Sequence, residues 1–528
     1  MKFKKRLALP LALALFLCAC TGGGGSPKTA RGDTAALGDY PIQSDTELTY
    51  WVALNGNVAA TASNLGDTPF AKELEKQTGI KVKYIHPALG QESEAFSLMV
   101  ASNELADIVE EAWSVALGGP TTSIDDKIIV ELNEYMKDYA PAFYSYLKEN
   151  PDIDKAVKTD QGQYYVFPFI RGNDKLLISA GPIIRKDWLD ELGMDIPKTL
   201  EDWEKMLIRF RDEKGATAPL TLQKNQKSML FALMSTTSYF YNDGGTIKYG
   251  PLEEEYYEAL KTLNRWFKEG LLDKNYTMVD SSIQDSNILN GKSGATFGSG
   301  GSGLGKWMQT MNGKDSKYDL IGVSYPYIGD VPAQYIPVQP PWGGSGAAIT
   351  TACKNIPIAM KFLDYSYTEA GHILNNFGIE GKSFNYVDGQ PIYTDYIMKN
   401  SEGLTVSQAM GQYNRANYLG PFVQDVRYIE QYYETDRQKE ALTAWFSGPK
   451  ESTSKALPST TFTPGENTEF SAIVNEATKY CTETTAAFIS GAKSLDEYDK
   501  FIKDLKDLKI DRAIEIYQTA LNRYNNRK

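Results

Sequence analysis

The chain has 528 residues, with 55 Lys and Arg against 67 Asp and Glu and a formal net charge of −12. An acidic chain gains nothing from releasing phosphate counterions, which argues against nucleic acid as a partner, and an anionic lipid surface repels it. Two histidines and four cysteines are too few for a histidine-rich metal centre or a disulfide framework.

The first element is the N-terminal run, in which Lys2, Lys4, Lys5 and Arg6 precede the apolar stretch Leu7 to Leu17. A charged start, a short apolar core and a small residue before the cut mark a secretory signal over residues 1–19, too short to span a bilayer. Leu17, Ala19 and Cys20 resemble the bacterial lipobox. That resemblance implies that Cys20 becomes the lipidated first residue of the mature protein, its acyl chains dissolved in the outer leaflet of the cytoplasmic membrane. An uncleaved anchor helix is the alternative. Residues 20–45, with Gly22 to Gly25 and few apolar side chains, read as a flexible tether.

Cleavage leaves 509 residues, with 51 basic against 67 acidic side chains and a net charge of −16. Length alone then allows roughly two to four domains. Of the cysteines only Cys353 and Cys481 remain, read as buried small side chains, with one bridge between them as the alternative. His86 and His372 have no metal-ligand spacing. Sixty-two aromatics (33 Tyr, 21 Phe, 8 Trp) are many for an acidic chain, and aromatic faces stack on the apolar faces of sugars, although core packing accounts for most of them.

The folded part opens with Leu48, Tyr50, Val52 and Leu54 alternating as a strand. Thr68 and Pro69 start a helix that ends at Gly79. Residues 80–84 alternate as a second strand, a helix carries Phe96 and Met99, and residues 107–109 form a third strand. This β-α-β-α-β succession starts an α/β sheet whose ligands should sit beyond the C-terminal ends of its strands.

Phe70 to Tyr84 (FAKELEKQTGIKVKY) and Leu98 to Val109 (LMVASNELADIV) resemble the opening of bacterial extracellular solute-binding proteins of family 1, in particular the LplA-type lipoproteins of Gram-positive bacteria. Ile184 to Trp203, Leu260 to Leu272, Phe362 to Tyr393 and Phe488 to Tyr524 continue the resemblance in order along almost the whole mature chain. Most of these residues look structural. Thr199 with Asp202 and Ser494 with Glu497 are helix starts, and Trp203, Met206 and Phe210 form a core stripe.

The resemblance implies an α/β, class II periplasmic-binding-protein-like fold of two lobes with crossing hinge strands and a helical C-terminal region. The expected lobes are residues 46–170 plus 345–430 and residues 171–344 plus 431–528, with crossings near Tyr165 to Ile178 and Tyr335 to Ile349. Many relatives carry a calcium-loop-like stretch after the helix that here ends at Gly215. This chain continues as Ala216-Thr217-Ala218-Pro219, without the alternating oxygen ligands calcium needs, so no calcium is expected there and no cofactor elsewhere.

Gly298 to Lys306 (GSGGSGLGK) contains a formal phosphate-loop spacing. Trp307 stands where the magnesium-binding Ser or Thr of a P-loop must be, which argues against an NTPase. In the resembled family this segment faces the cleft. Gly300 could then offer backbone amides to ligand oxygens and Trp307 a stacking face, or both could serve packing within their own lobe. Trp51 ends the first strand and Asn55 and Asn57 follow it, Trp113 follows the third, and Arg171 and Trp342 lie at the two crossings, with core or hinge packing as the alternative role of each. These eight positions form the expected ligand site. Trp188, Trp203 and Trp266 lie on Leu-rich helix stripes and belong to the core.

The first functional reading is a lipid-anchored extracytoplasmic receptor, a monomer, that captures an oligosaccharide or sugar-like solute between its lobes and passes it to the permease of an ABC importer. A glycoside-processing enzyme needs a facing pair of carboxylates across the cleft. An adhesin would show repeats, and none is found. A sugar-sensing co-receptor would share the fold and differ only in its partner.

Overall fold

The computed structural model describes residues 37–527. The signal, Cys20 and most of the tether lie outside the described residues. Every element below belongs to one unit, Tyr40–Lys528.

The first strand, Glu47–Trp51, is flanked in parallel by Lys81–Ile85 and Ile108–Glu111, with Tyr50 opposite both Tyr84 and Ile108. The intervening helices are Pro69–Thr78 and Glu92–Ser102. The β-α-β-α-β start is therefore present, with strand ends shifted by one to three residues, the first strand ending at Trp51 rather than Leu54. Thr68 caps the first helix through the Ala71 amide, Pro69 opens it, and Gly79 closes it at φ +73°. A Cβ at Gly79 would lie 2.2 Å from the Ile42 carbonyl oxygen, so glycine is required there by both conformation and space.

Two further strands complete this five-stranded sheet. Gly346–Ile349 runs antiparallel to Ile108–Glu111, and Phe167–Pro168 runs antiparallel to Gly346–Ile349. The half of the molecule built on this sheet is lobe 1. Lobe 2 is built on Ala180–Arg185, paired antiparallel with Ala295–Ser299 on one side and Leu320–Gly322 on the other. The chain thus leaves the first sheet after residue 168, builds the second, and returns at residue 346.

It crosses again after the short pairing of Ile170–Arg171 with Val423–Gln424, to form the helix Asp436–Phe446. That helix lies on the lobe 2 sheet because Gly181 and Gly322 leave room for it. A Cβ at Gly181 would sit 2.4 Å from the Trp445 ring, and one at Gly322 would sit 2.3 Å from the Ala441 Cβ. The Trp445 indole donates to the Pro182 carbonyl at 2.9 Å. The long helix Pro464–Ser490 packs on Glu254–Lys268, where Tyr256 and Thr485 share a 2.8 Å hydrogen bond and Asn264 donates to the Phe488 carbonyl.

The expected core stripes are buried. Trp188, Trp203, Met206, Phe210 and Trp266 all pack in lobe 2, and Thr199 with Asp202 forms a full capping box. Ser494 caps a shorter turn, Leu495–Glu497, through the Asp496 amide rather than that of Glu497. Cys353 and Cys481 are free and buried, and burial pushes the Cys353 thiol up to about 12.

One cap is supplied from a distance. Helix Pro141–Glu149 has no capping side chain of its own; Asp364, at the end of helix Ile356–Asp364, accepts the amide protons of Phe143 (2.7 Å) and Ala142 (3.4 Å). Two unpaired amides and the positive helix end favour the carboxylate. Burial outweighs them and pushes the Asp364 carboxyl up to about 6 from 3.8. A raised carboxyl pKa in the folded state favours the protonated form, so this group's contribution to stability is fullest below pH 4 and is lost as the pH rises to 6. Asp364→Asn is therefore expected to gain stability relative to wild type by up to about 3 kcal/mol between pH 4 and pH 7. Urea unfolding of both proteins across that range checks this; a difference that stays flat with pH contradicts the raised carboxyl.

Candidate functional site

The two crossings meet at Arg171. Its backbone amide donates to the Pro341 carbonyl at 2.8 Å, its guanidinium donates to the Pro340 carbonyl at 3.3 Å, and its plane lies 5.4 Å from the Phe169 ring. Burial pulls its pKa below the ordinary arginine value. Among the described residues no carboxylate pairs with it. A half-buried guanidinium with donors to spare, at the junction of two lobes, can hold ligand oxygens.

Ser114, just past the third strand, is drawn to the same place. Its amide donates to the Gly344 carbonyl at 3.3 Å, and a Cβ at Gly344 would lie 1.9 Å from the Ser114 hydroxyl. Gly344 has φ +95°, and Gly343 is exposed beside the Arg171 guanidinium. Arg171, Ser114 and the Gly343-Gly344 turn thus form one polar spot at the crossing. Next to it, Asp425 accepts from His372 at 2.9 Å and from Arg427; although burial opposes ionisation, these bonds hold its carboxyl well below the usual range.

The four expected stacking tryptophans face inward. Trp51 and Trp113 sandwich Phe96 at 6.0 and 5.7 Å, and the Trp113 indole donates to the Val109 carbonyl. Trp342 packs edge-on to Tyr165 and donates to the Ser345 carbonyl. Trp307 donates to Asp285 at 2.6 Å and is 1% exposed. None of these rings has an open face in this structure. The physical reason is that a large apolar ring beside a strand end or at a helix start is drawn under the adjoining chain.

Asn55 and Asn57 are half-buried. The Asn55 side chain accepts the Asn57 amide and caps the short helix Gly56–Ala59, which packs on Val406–Tyr413.

The glycine-rich loop forms a single π-helical turn, Gly300–Gly305, ahead of helix Lys306–Met311. Its glycines admit neighbours rather than phosphate. A Cβ at Gly300 would lie 2.5 Å from the Tyr433 ring, one at Gly301 2.8 Å from Tyr432, and one at Gly305 2.3 Å from the Gln438 side chain. The Gly300 carbonyl accepts from Gln438 at 2.9 Å, and Lys306 is paired with Asp285 at 2.5 Å. Sequence reasoning missed Ser114, Tyr432 and Tyr433. Tyr432 shares a 2.9 Å hydrogen bond with Ser407 of lobe 1 while its ring lies on Gly301 of lobe 2. Two tyrosines among 33 carry no local pattern that would have singled them out.

Among the described residues no group of three or more His, Cys, Asp and Glu is placed to hold a metal ion. His86 is engaged by the Val52 carbonyl and the Leu65 amide. No described helix is long and apolar enough to cross a membrane.

Residues 62–373, which run through both sheets and both sides of this junction, match the family described as bacterial extracellular solute-binding protein. The chain belongs to that family. Lipoprotein LipO of Bacillus subtilis (strain 168) is 24% identical over 367 residues, 66% of this chain and 70% of that protein. The fructooligosaccharide ABC transporter substrate-binding protein FusA of Streptococcus pneumoniae serotype 4 (strain ATCC BAA-334 / TIGR4) is 24% identical over 369 residues, 65% of each chain. Among solved structures, the alginate-binding protein AlgQ2 without calcium ion is similar with a TM-score of 0.73 at 20% identity, over 92% of this chain and 100% of that one. At that identity the likeness is one of fold, and the fold is the two-lobed α/β arrangement of solute-binding proteins. This solute-binding protein is a binding protein by family and fold, not an enzyme.

The packing of the glycine turn sets an expectation. Gly300→Ala must displace Tyr433 and should cost about 1 to 3 kcal/mol. Gly465→Ala, on helix Pro464–Ser490 where a Cβ meets nothing within 4 Å, should be neutral or stabilising by up to about 1 kcal/mol. Chemical denaturation of the two variants compares them; equal effects would show that the close approach of Tyr433 is unimportant.

Proposed function

We propose that this solute-binding protein is a lipid-anchored extracytoplasmic receptor that captures an oligosaccharide, or a related sugar, between its lobes and delivers it to an ABC importer. The observation that carries the reading is the polar junction at the crossing, where the unpaired Arg171 guanidinium, Ser114 and the Gly343-Gly344 turn stand together between the lobes. Hydroxyl-rich ligands suit such a set, because guanidinium and hydroxyl groups donate to sugar oxygens in fixed directions. Support for the ligand class comes from FusA, whose name records fructooligosaccharide binding and ABC transport.

The mechanism is a shift in a hinge equilibrium. A ligand that touches both lobes stabilises the closed arrangement by its differential affinity for that state, and no bond is broken. Asn55 and Asn57 on lobe 1 are the further positions assigned to the ligand, whereas the expected role of Gly300 is withdrawn, because it is buried with its amide donating to the Ser179 carbonyl and its carbonyl accepting from Gln438. Trp51, Trp113, Trp307 and Trp342 act behind it, by fixing the walls.

A melting-temperature screen of residues 46–528 against plant and microbial oligosaccharides tests the reading. A sugar at 100 times its dissociation constant adds about 2.7 kcal/mol to folding stability. The sugar that raises the curve is expected to be recovered intact, and Arg171→Ala is expected to weaken it about tenfold with the ligand-free melting point little changed. A panel in which nothing shifts the curve, or a sugar recovered cleaved, rejects it.

The anchor rests on Leu17-Cys18-Ala19-Cys20 and on the likeness to lipoprotein LipO. Full-length protein expressed in a Gram-positive host should fractionate with membranes, and Cys20→Ser should move it to the soluble fraction. Retention of the variant on the membrane would overturn the lipid anchor.

A further inference from the structure

Lobe 2 contains a second cavity, distinct from the crossing. It has a volume of about 50 Å³, is partly open and lined mostly by apolar atoms, and lies between helix Lys227–Leu233, the Tyr256 end of helix Glu254–Lys268 and the middle of helix Pro464–Ser490. A water needs roughly 10 to 15 Å³ of such volume, so the space holds a few waters or one small ion.

The chemistry of its wall is one-sided. Lys227, Tyr249, Tyr256, Tyr276, Cys481 and Thr485 are among its polar lining residues, and no Asp or Glu lines the cavity. The Tyr276 side chain is 97% buried by its 3% exposure, and its hydroxyl has no hydrogen-bond partner among the described residues. Tyr256 is held in place, stacked on Phe231 at 4.6 Å and hydrogen-bonded to Thr485 at 2.8 Å. Lys227 has no carboxylate partner among the described residues. Burial pulls its pKa down, and the titratable group it feels is the Cys481 thiol. Burial in turn pushes that thiol up, so it is neutral at pH 7 and does not balance the ammonium.

A half-buried cation with no counter-charge and a buried hydroxyl with no partner among the described residues line this one cavity, and each is costly unless something accepts from it. The ammonium can only donate and the phenol can donate as well as accept, so a group that accepts from both would satisfy the two together. We propose that this lobe 2 cavity binds a small monoanion, of halide, nitrate or formate size, held by the Lys227 ammonium and the Tyr276 hydroxyl. The anion ties the three helix segments together in a space of about 50 Å³, too small for a sugar. It is therefore a structural ligand of lobe 2, and it stands whether or not the crossing binds sugar.

The test uses the full chain, titrated with sodium bromide, chloride, nitrate or formate while sodium gluconate, too large for the cavity, keeps the ionic strength constant. At least one of these anions is expected to raise the melting temperature along a saturable curve. In Lys227→Met the half-effect concentration should rise about tenfold or more, and in Tyr276→Phe several-fold. Crystals grown in bromide or soaked in it should show an anomalous peak inside the cavity. The proposal fails if no anion gives a saturable rise, if both variants keep the wild-type midpoint, or if the cavity holds only water at saturating bromide. Should Lys227→Met not fold, Tyr276→Phe and the bromide peak decide the matter alone.

Discussion

Each lobe is assembled from separated stretches of chain, so the strands that pass between them must satisfy their backbone groups where no regular sheet continues. The bond from the Arg171 amide to the Pro341 carbonyl meets this need, because it fastens the outgoing crossing to the returning one. Around it Ile170–Arg171 pairs with Val423–Gln424, and Gly346–Ile349 slots between Ile108–Glu111 and Phe167–Pro168. Buried backbone groups left unpaired would be costly, so this short knot fixes where the lobes can hinge and which side chains line the junction. Arg171 is only partly committed there, because its backbone is spent on the fold while its guanidinium gives one hydrogen bond to the Pro340 carbonyl and keeps further donors.

The rigid walls behind the junction come from rings and from missing side chains. Trp113 and Trp51 on Phe96 stiffen the strand ends of lobe 1, while the glycines at 181, 300, 301 and 322 let Trp445, Tyr432 and Tyr433 lie against lobe 2 backbone. Close packing of this kind transmits small displacements as whole-body movement rather than local deformation. That is the property a two-lobed receptor needs if contacts at the junction are to be read elsewhere.

The lobes are also tied by charge. Asp160, in the loop before the first crossing, accepts from Arg523 at 2.9 Å on the last helix, Ile510–Asn525, and from Arg527 at 2.8 Å just past its end; that helix packs on Pro464–Ser490. Within lobe 1, Arg415 spans Glu110 at 3.0 Å beneath Tyr50. Pairs this well buried add little over an apolar alternative, but the loss of one partner leaves an uncompensated charge, so they specify one arrangement more than they strengthen it.

The sequence by itself determined the local elements and the family. Thr68-Pro69 with Gly79, the Thr199–Asp202 box and the Trp203-Met206-Phe210 stripe are signals within one helix, and each fixes a structure that needs no distant partner to be read. It also excluded a P-loop, because Trp307 occupies a position whose chemistry is strict. Only the tertiary structure decided which tryptophans are walls and which polar groups stay open. Burial depends on what the returning chain places on top, and the segments that do so, residues 340–346 and 406–438, are more than 100 residues from the strands they cover. The Ser114–Gly344 contact, the tyrosines on the glycine turn and the Asp364 cap on a helix more than 200 residues away follow from that return, and no local pattern announces them.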